Sequence, residues 1–222
     1  MSVKEIIVKH TFFQSLTADQ LEKLASLATV QQYEKEYILY YERDETSELC
    51  FLVEGLAKAY KLDKHDNEIF LYYIYENSML SEISSTEAFT LRSFSNISFV
   101  EDSQVLKINY KKFKELFLDQ HILCHQFTAA LLERSLQMQS LINREFLFDA
   151  VSKVSMMLRE DLAMFNKLKR HDISLMLHIQ PATLSRVLNR LKRNNIIAII
   201  HGKVEVLDAE ALEEIYKDKV DE

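Results

Sequence analysis

The chain has 222 residues and a formal net charge of −7 at pH 7, and 48% of its residues are hydrophobic. This length accommodates two modest domains, and the hydrophobic share predicts a folded protein rather than a disordered one. No apolar run reaches the ~18–20 residues that span a bilayer, and residues 1–10 lack the pattern of a secretory signal. We therefore expect a cytoplasmic protein with no membrane partner.

Cysteine and glycine are both scarce, which excludes several kinds of site. Cys50 and Cys124 are too few for a disulfide framework or a structural zinc site. Gly55 and Gly202 are the two glycines, so neither a GxGxxG motif nor a Walker-type phosphate loop occurs. His171-Asp172 and the scattered serines form no nucleophile–base pattern, and we expect no enzyme.

Short apolar runs dominate the region from Val30 to Ile108. Before it, Thr17 is placed to cap a short helix that reaches Ala28. The runs are rich in Tyr, Ile, Val and Phe and are separated by polar turns: Tyr37–Tyr41, Leu49–Val53, Ala57–Leu62, Glu68–Tyr75, Ser95–Val100 and Gln104–Ile108. This spacing is typical of an antiparallel sandwich or barrel, and we assign residues 1–110 to such a domain.

A long helical segment is predicted from Tyr110 to about Arg144. Its apolar side chains include Leu123, Phe127, Leu131, Met138, Leu141 and Ile142. Because a seam of this length exceeds what a small β-domain covers, we interpret residues 111–146 as a helix that pairs with a second copy of the chain. The alternative is that the helix lies on its own domain. A hinge at Phe146–Asp149 then leads into a helix over Ala150–Leu162.

The last domain, residues 147–222, has the pattern of a winged helix-turn-helix. Pro181 suits the first position of a helix, and beyond it four apolar side chains share one face: Leu184, Val187, Leu188 and Leu191. A preceding helix supplies Ile173, Met176 and Leu177, and a β-hairpin with its turn at 201–203 follows. The other face of the second helix carries small, hydrogen-bonding and cationic groups: Ala182, Ser185, Arg186, Asn189, Arg190 and Arg193.

The charge of this region also favours DNA as the partner. Between Phe165 and Lys203 the chain has eight Lys or Arg residues and one acidic residue, Asp172. A basic patch on an acidic protein favours phosphate contacts without making the whole surface adhesive. A solvated surface helix would share the amphipathic pattern, but not the neighbouring helix, hairpin and charge. We therefore predict binding to double-stranded DNA.

A β-sandwich, a long helix and a C-terminal winged helix, in this order, resemble the Crp/Fnr family of bacterial transcription regulators. The segments that carry the resemblance are Phe12–Leu21, Leu52–Gly55, Val105–Phe113 and Thr183–Arg186. The resemblance implies an α+β fold with a jelly-roll sensor domain, a dimerisation helix and a winged helix. It also implies a homodimer on an inverted-repeat operator, with RNA polymerase as a further partner.

In the family, the arginine at position 186 contacts a guanine, which suits a guanidinium opposite O6 and N7. Ser185 and Gln180 would be secondary contacts, and the other expected DNA contacts are Thr183, Asn189, Arg190, Lys169 and Lys203. Ala182 stands where the family usually has a glutamate that accepts from cytosine N4. A methyl group packs instead on the methyl of thymine, so we expect an altered half-site.

The signal is less clear from the sequence. Glu82, Arg92 and Ser93 match the cyclic-nucleotide cassette of the family, but Ser81 replaces its glycine, and Met138 and Gln139 replace its polar pair on the long helix. These departures argue against cyclic AMP. Residues 1–49 contain no cysteine, so no iron–sulfur cluster is expected.

Other signals stay open at this stage. His121, Cys124 and His125 could ligate haem or a metal, with the two histidines at i and i+4 of one helix. A haem-bound gas, or a redox or nitrosative-stress signal, would then gate the protein. An effector-free regulator is another alternative. A ligand-binding regulatory module without specific DNA binding would leave Thr183–Arg186 without a purpose.

Overall fold

The computed structural model describes residues 1–83, 85 and 87–217. The chain forms two compact units, Met1–Ser135 and Leu136–Glu222, and residues 218–222 of the predicted third segment lie outside the described residues. The division falls within the long helix, so the three segments predicted from the sequence, 1–110, 111–146 and 147–222, stay a prediction. Among the described residues, no helix has the length and apolar character to cross a bilayer.

The first unit begins with two short helices, α1 (Val3–Lys9) and α2 (Ala18–Ser26), joined through a 3-10 turn at Thr11–Phe13. Each helix starts with a capping box. The Thr17 hydroxyl accepts from the Gln20 backbone N–H, and the Gln20 side chain accepts from the Thr17 N–H. This confirms Thr17 as the cap predicted from the sequence.

Among the described residues of this unit, nine strands follow: β1 (Ala28–Tyr33), β2 (Ile38–Tyr40), β3 (Glu45–Thr46), β4 (Glu48–Glu54), β5 (Ala57–Leu62), β6 (Glu68–Ile74), β7 (Leu91–Arg92), β8 (Asn96–Phe99) and β9 (Ser103–Asn109). They pair antiparallel in the orders β1-β9-β4, β2-β8-β5-β6 and β3-β7. The predicted antiparallel β-domain is confirmed.

Gly55, between β4 and β5, is required by its backbone. Its φ is +105°, and a Cβ there would lie 2.2 Å from the Oγ of Ser103. A side chain at this position is excluded both by the conformation and by the approach of β9.

The long helical segment is interrupted. It comprises α3 (Tyr110–Phe113), a π-helical turn at Lys114–Leu118, and α4 (Cys124–Ile142), which a second π-helical turn extends through Asn143–Leu147. His121 and Leu123 have positive φ values of 59° and 64°, which break the helix before α4. The predicted span is therefore correct in extent but not continuous.

Two of the residues assigned to the dimer seam were placed wrongly. Leu123 and Phe127 are buried in the core of the first unit, in a cluster with Phe13, Phe51 and Phe117. Phe127 lies in the first turn of α4 and Leu123 immediately before the helix, and both side chains pack into this core. They are thus not available to a second subunit.

The second unit contains α5 (Ala150–Glu160), α6 (Leu162–Lys167), α7 (Arg170–Met176), α8 (Pro181–Arg193), the hairpin of β10 (Ile197–Ile200) and β11 (Lys203–Val206), and α9 (Ala209–Lys217). Asp149 and Asp161 cap α5 and α6 by accepting from the N–H groups of Ser152 and Met164. The cap at Asp161 splits the helix predicted over Ala150–Leu162. The predicted winged helix-turn-helix is confirmed.

One buried histidine makes the stability of the first unit depend on pH. His10 is 2% exposed beside Phe13 and Phe51; its Nδ1 accepts from the Phe12 N–H and its Nε2 has no hydrogen-bond partner. Burial lowers the pKa of His10 from 6.5 to about 4. The imidazole is therefore neutral in the folded chain but takes up a proton on unfolding below pH 6.5.

We expect the wild-type chain to lose stability as the pH falls from 6.5 toward 4, because the unfolded state then binds the additional proton. The loss at His10 approaches about 3 kcal/mol at the acid end, at ~1.36 kcal/mol per pKa unit. His10→Asn keeps a cap acceptor but does not titrate. The free energy of unfolding of the wild type minus that of the variant should fall as the pH is lowered through this range, as measured by urea unfolding followed by circular dichroism. A difference that stays constant would contradict the lowered pKa of His10.

Candidate nucleic-acid interface and ligand cassette

Helix α8 combines a buried apolar face with an exposed polar one. Leu184, Val187, Leu188 and Leu191 are all 5% exposed or less, as their spacing predicts. Pro181 occupies the first turn, where its missing N–H costs no intrahelical bond. The anchored face fixes the direction in which the remaining side chains point.

The predicted DNA contacts lie on the accessible part of this unit. Gln180, Ala182, Ser185, Arg186, Asn189, Arg190, Lys169 and Lys203 are exposed, and Thr183 is half-buried. Arg186 and Asn189 line an open cleft together with Lys192 and Arg193. The Ser185 hydroxyl donates to the carbonyl of Pro181 at 3.1 Å, which leaves its lone pairs free to accept. Their roles as DNA contacts stay predictions.

The wing is held by two side chains that sequence reasoning missed. The Asn166 amide donates to the carbonyl of Val204 and accepts from its N–H, both at 2.8 Å. The Arg170 guanidinium stacks 4.7 Å from the centroid of the Phe165 ring and donates to the carbonyl of Gly202 at 3.2 Å. In the sequence, Arg170 counts only as one of the basic residues that favour DNA binding. Its contact with the wing joins residues that are 32 positions apart, which local spacing does not predict.

The cassette, which we define as Ser81, Glu82, Arg92 and Ser93, is assembled around one carboxylate. Glu82 Oε2 accepts from the Ser95 N–H at 3.2 Å and from the Phe94 N–H; the Ser93 hydroxyl lies 3.3 Å away but donates its proton to the Ser95 carbonyl at 2.6 Å. Its Oε1 accepts from the hydroxyls of Tyr72 and Ser95, both at 3.2 Å. Four donors of the protein itself therefore fill the acceptor sites of this carboxylate.

Ser81 closes the cassette further. Its hydroxyl accepts from the Cys50 N–H at 2.9 Å and lies 3.3 Å from the hydroxyl of Tyr40, which is also buried. The cleft that these groups line with Arg92 and Ser93 has no space for even one water molecule. Ligand pockets usually enclose roughly 300–1,000 Å³. The residues present therefore do not fit a cyclic nucleotide.

Helix α4 contacts Tyr72, a donor to the cassette carboxylate, through Arg134. Its guanidinium lies 4.7 Å from the centroid of the Tyr72 ring and donates to the carbonyl of Met79 at 2.9 Å. Burial raises the pKa of Tyr72 to about 12, so its hydroxyl remains protonated as the donor to Glu82. Met138 and Gln139, which the sequence assigned to the same pocket, are exposed and belong to the second unit.

The proposed haem or metal ligands are not brought together. His121 lies in the turn before α4, so it does not share a helix face with His125, and that interpretation of their spacing was wrong. The Cys124 thiol donates to the carbonyl of Leu118 at 3.5 Å. Within residues 1–83, 85 and 87–217, no three His, Cys, Asp or Glu side chains are grouped to hold a metal ion. Burial also raises the pKa of Cys50 to about 11, which keeps that thiol protonated.

Two family models match the two functional regions. Residues 30–120 match the cyclic nucleotide-binding domain, and residues 152–215 match the Crp-like helix-turn-helix domain. Together they cover well over half of the chain. The chain belongs to the Crp/Fnr family. It is thus a DNA-binding transcription regulator with a cyclic-nucleotide-binding-like domain, and its relatives are regulators rather than enzymes.

Individual relatives agree with this architecture across most of their length. The Cyclic AMP receptor protein of Thermus thermophilus is 22% identical over 207 residues, which cover 91% of this chain and 95% of that protein. The structure of FixK2 from Bradyrhizobium japonicum has a TM-score of 0.68 at 16% identity, covering 85% of this chain and 96% of its own. A CooA variant from Carboxydothermus hydrogenoformans has a TM-score of 0.66 at 19% identity, with coverages of 86% and 89%. The two structural similarities show the fold alone.

The closed cassette predicts that cyclic AMP does not bind to this Crp/Fnr protein. A ligand at 100 times its Kd would stabilise the folded state by ~2.7 kcal/mol, enough to raise the melting temperature by several degrees. We expect no shift with cyclic AMP at about 1 mM, a concentration far above typical physiological ligand affinities. Differential scanning calorimetry of the full chain checks this, with a nucleotide-binding homologue as the positive control. A reproducible rise of the transition would contradict the prediction.

Proposed function

We propose that this protein is a homodimeric transcription regulator that reads an inverted repeat through two copies of α8 and acts in the cytoplasm with RNA polymerase. The observation that carries the proposal is α8 itself. Its apolar face is buried, and it presents Arg186 to solvent beside Asn189 and Arg190. A guanidinium on such a helix can donate to both O6 and N7 of a guanine in the major groove.

The dimer is supported by apolar side chains along α4 that the described residues leave exposed. Leu132 is 60% exposed, Leu136 67% and Ile142 53%, and Phe146 in the following π-helical turn is 82% exposed. Full burial of each such side chain contributes about 1.5–3 kcal/mol. Pairing with the same helix of a second copy removes these side chains from water by two-fold symmetry. The seam that we propose therefore keeps Leu131, Met138 and Ile142, whose side chains are also exposed, and adds Leu132 and Leu136; Leu141 is half-buried and is left out.

The signal that gates the dimer is proposed to be something other than a cyclic nucleotide. The cassette carboxylate is already saturated by donors from Tyr72, Phe94 and Ser95, and the cleft holds no water-sized space. Arg134 connects this closed cassette to α4 through Tyr72. A change in these contacts is the route by which a signal would reach the helix that we propose as the dimer seam.

Residue 182 should decide one base pair of the half-site. Ala182 is exposed at the start of α8, where its methyl group suits a thymine methyl. We expect Ala182→Glu to move the preference at that position from thymine toward cytosine by ~1–3 kcal/mol, because a carboxylate accepts from cytosine N4. Sequencing of DNA fragments selected by each variant measures this.

Ala182→Gln is the matched control, since it adds a side chain of the same length that carries no charge and pairs with adenine instead. Both selections should keep the guanine opposite Arg186. Identical selected sites for all three proteins would rule out base contact at this position.

A charge in the seam should abolish the dimer and DNA binding together. Ile142→Asp places a carboxylate on the exposed apolar face, whereas Ile142→Leu keeps an apolar side chain of the same size at the same position. We expect the first variant to run at the monomer mass of 26.1 kDa and to lose sequence-specific binding, and the second to stay dimeric. Light scattering during gel filtration checks the mass. If Ile142→Asp remained dimeric, α4 would not form the interface.

A further inference from the structure

The turn between α7 and α8 contains a histidine where a glycine is usual. The N–H of His178 donates to the carbonyl of Leu175 at 3.1 Å, and that of Ile179 donates to Ser174 at 3.0 Å. This is the Schellman pattern, whose residue after the cap adopts the left-handed conformation. His178 has a φ of +51°. A Cβ in that conformation costs roughly 1–2 kcal/mol, so the side chain is retained at an energetic disadvantage.

The imidazole of His178 has a specific partner. Its Nδ1 lies 2.8 Å from Oε2 of Glu145, which belongs to the π-helical turn Asn143–Leu147. Both residues lie in the second unit, so the contact is internal to it. The turn before α8 is thus tied to the segment that leads out of α4.

Glu145 also neutralises two cations that are themselves out of solvent. Oε1 lies 3.1 Å from Nε of Arg144 and Oε2 lies 3.4 Å from Nζ of Lys153, and these two side chains are 8% and 9% exposed. Burial alone would raise the pKa of Glu145, but the hydrogen bonds from His178 and Arg144 outweigh it and the pKa is lowered. The carboxylate is therefore ionised and organises three donors at once.

The start of α8 depends on this turn. Pro181 lies three residues after His178, and Gln180 at the N-cap makes no side-chain capping bond. The backbone of Thr183 and Leu184 donates to the Gln180 carbonyl, so the first turn of α8 continues directly from the backbone of the Schellman turn. A displacement of His178 would tilt the helix that carries Arg186.

We propose that Glu145 and His178 are positioning residues for DNA recognition: the contact between them fixes the orientation of α8 relative to the segment that follows α4. Neither residue needs to touch DNA. This inference rests on the proposed function, because orientation matters only if two copies of α8 must meet two half-sites at a set separation.

The test compares two operators in a competition assay with the full-length wild type and variants. One operator has the half-site separation that the wild type selects, and the other is one base pair longer. His178→Gly removes the imidazole and suits a positive φ, so it should fold at least as stably as the wild type. We expect its preference for the native separation to fall about tenfold, since a charge-assisted hydrogen bond fixes the orientation.

Three further variants separate positioning from other roles. His178→Asn keeps a side chain that tolerates the left-handed conformation and can donate to Glu145, and it should restore most of the preference. Asn195→Gly is the matched control: Asn195 has a φ of +58° in the equivalent turn after α8, so the change relieves the same strain elsewhere. Lys203→Ala should weaken binding to both operators equally, as expected for a phosphate contact.

The results distinguish two kinds of failure. If the wild type shows no preference between the operators, the proposed dimeric reading of an inverted repeat is wrong. If the wild type has the preference and His178→Gly keeps it, with an unchanged melting temperature, the positioning role is wrong. Combining His178→Gly with Glu145→Gln should add little to the loss from either change alone; fully additive losses would also overturn the proposal.

Discussion

Helix α4 and the turn before it carry two sets of apolar side chains, one packed into the first unit and one exposed to solvent. The other contacts of the molecule depend on this division. Leu123 and Phe127 complete the aromatic core of the first unit, where Phe13, Phe51 and Phe117 are almost fully buried. Leu132, Leu136 and Ile142 lie on another part of the surface and remain exposed. A helix that was apolar only toward its own domain would need no second copy, so the second face is what favours a dimer.

The closed cassette also supports the position of helix α4. Arg134 extends from α4 to the Tyr72 ring, and Tyr72 donates to the carboxylate of Glu82. In a ligand-binding domain, a carboxylate in this position would have free acceptor sites for the ligand. Here Ser95 and the Phe94 N–H take those sites, so the cassette supports the position of α4 by internal bonds. In this cyclic-nucleotide-binding-like fold, the cassette carboxylate is therefore bonded within the protein itself.

The features that were predictable from the sequence are those set by local periodicity. The strand Ala57–Leu62 and the buried face of α8 follow from alternation and from spacings of three and four. The two-residue strands β3 and β7 have no periodic pattern long enough to detect. The pairing of His121 with His125 failed because two positive φ values, at His121 and Leu123, interrupt the helix that their spacing assumed.

Long-range polar contacts were the least predictable part of the candidate site. Asn166 bonds to Val204 across 38 residues of sequence, and Glu145 contacts His178 across the whole of α5, α6 and α7. Neither pair has a spacing that a local rule would recognise. The nearest local signal is a residue whose backbone conformation is energetically unfavourable for its side chain. A histidine in a left-handed turn loses free energy relative to glycine. Nine described residues other than glycine have a positive φ, so the conformation alone does not identify a contact. At His178 it coincides with the Glu145 carboxylate, which links the turn before α8 to the segment after α4.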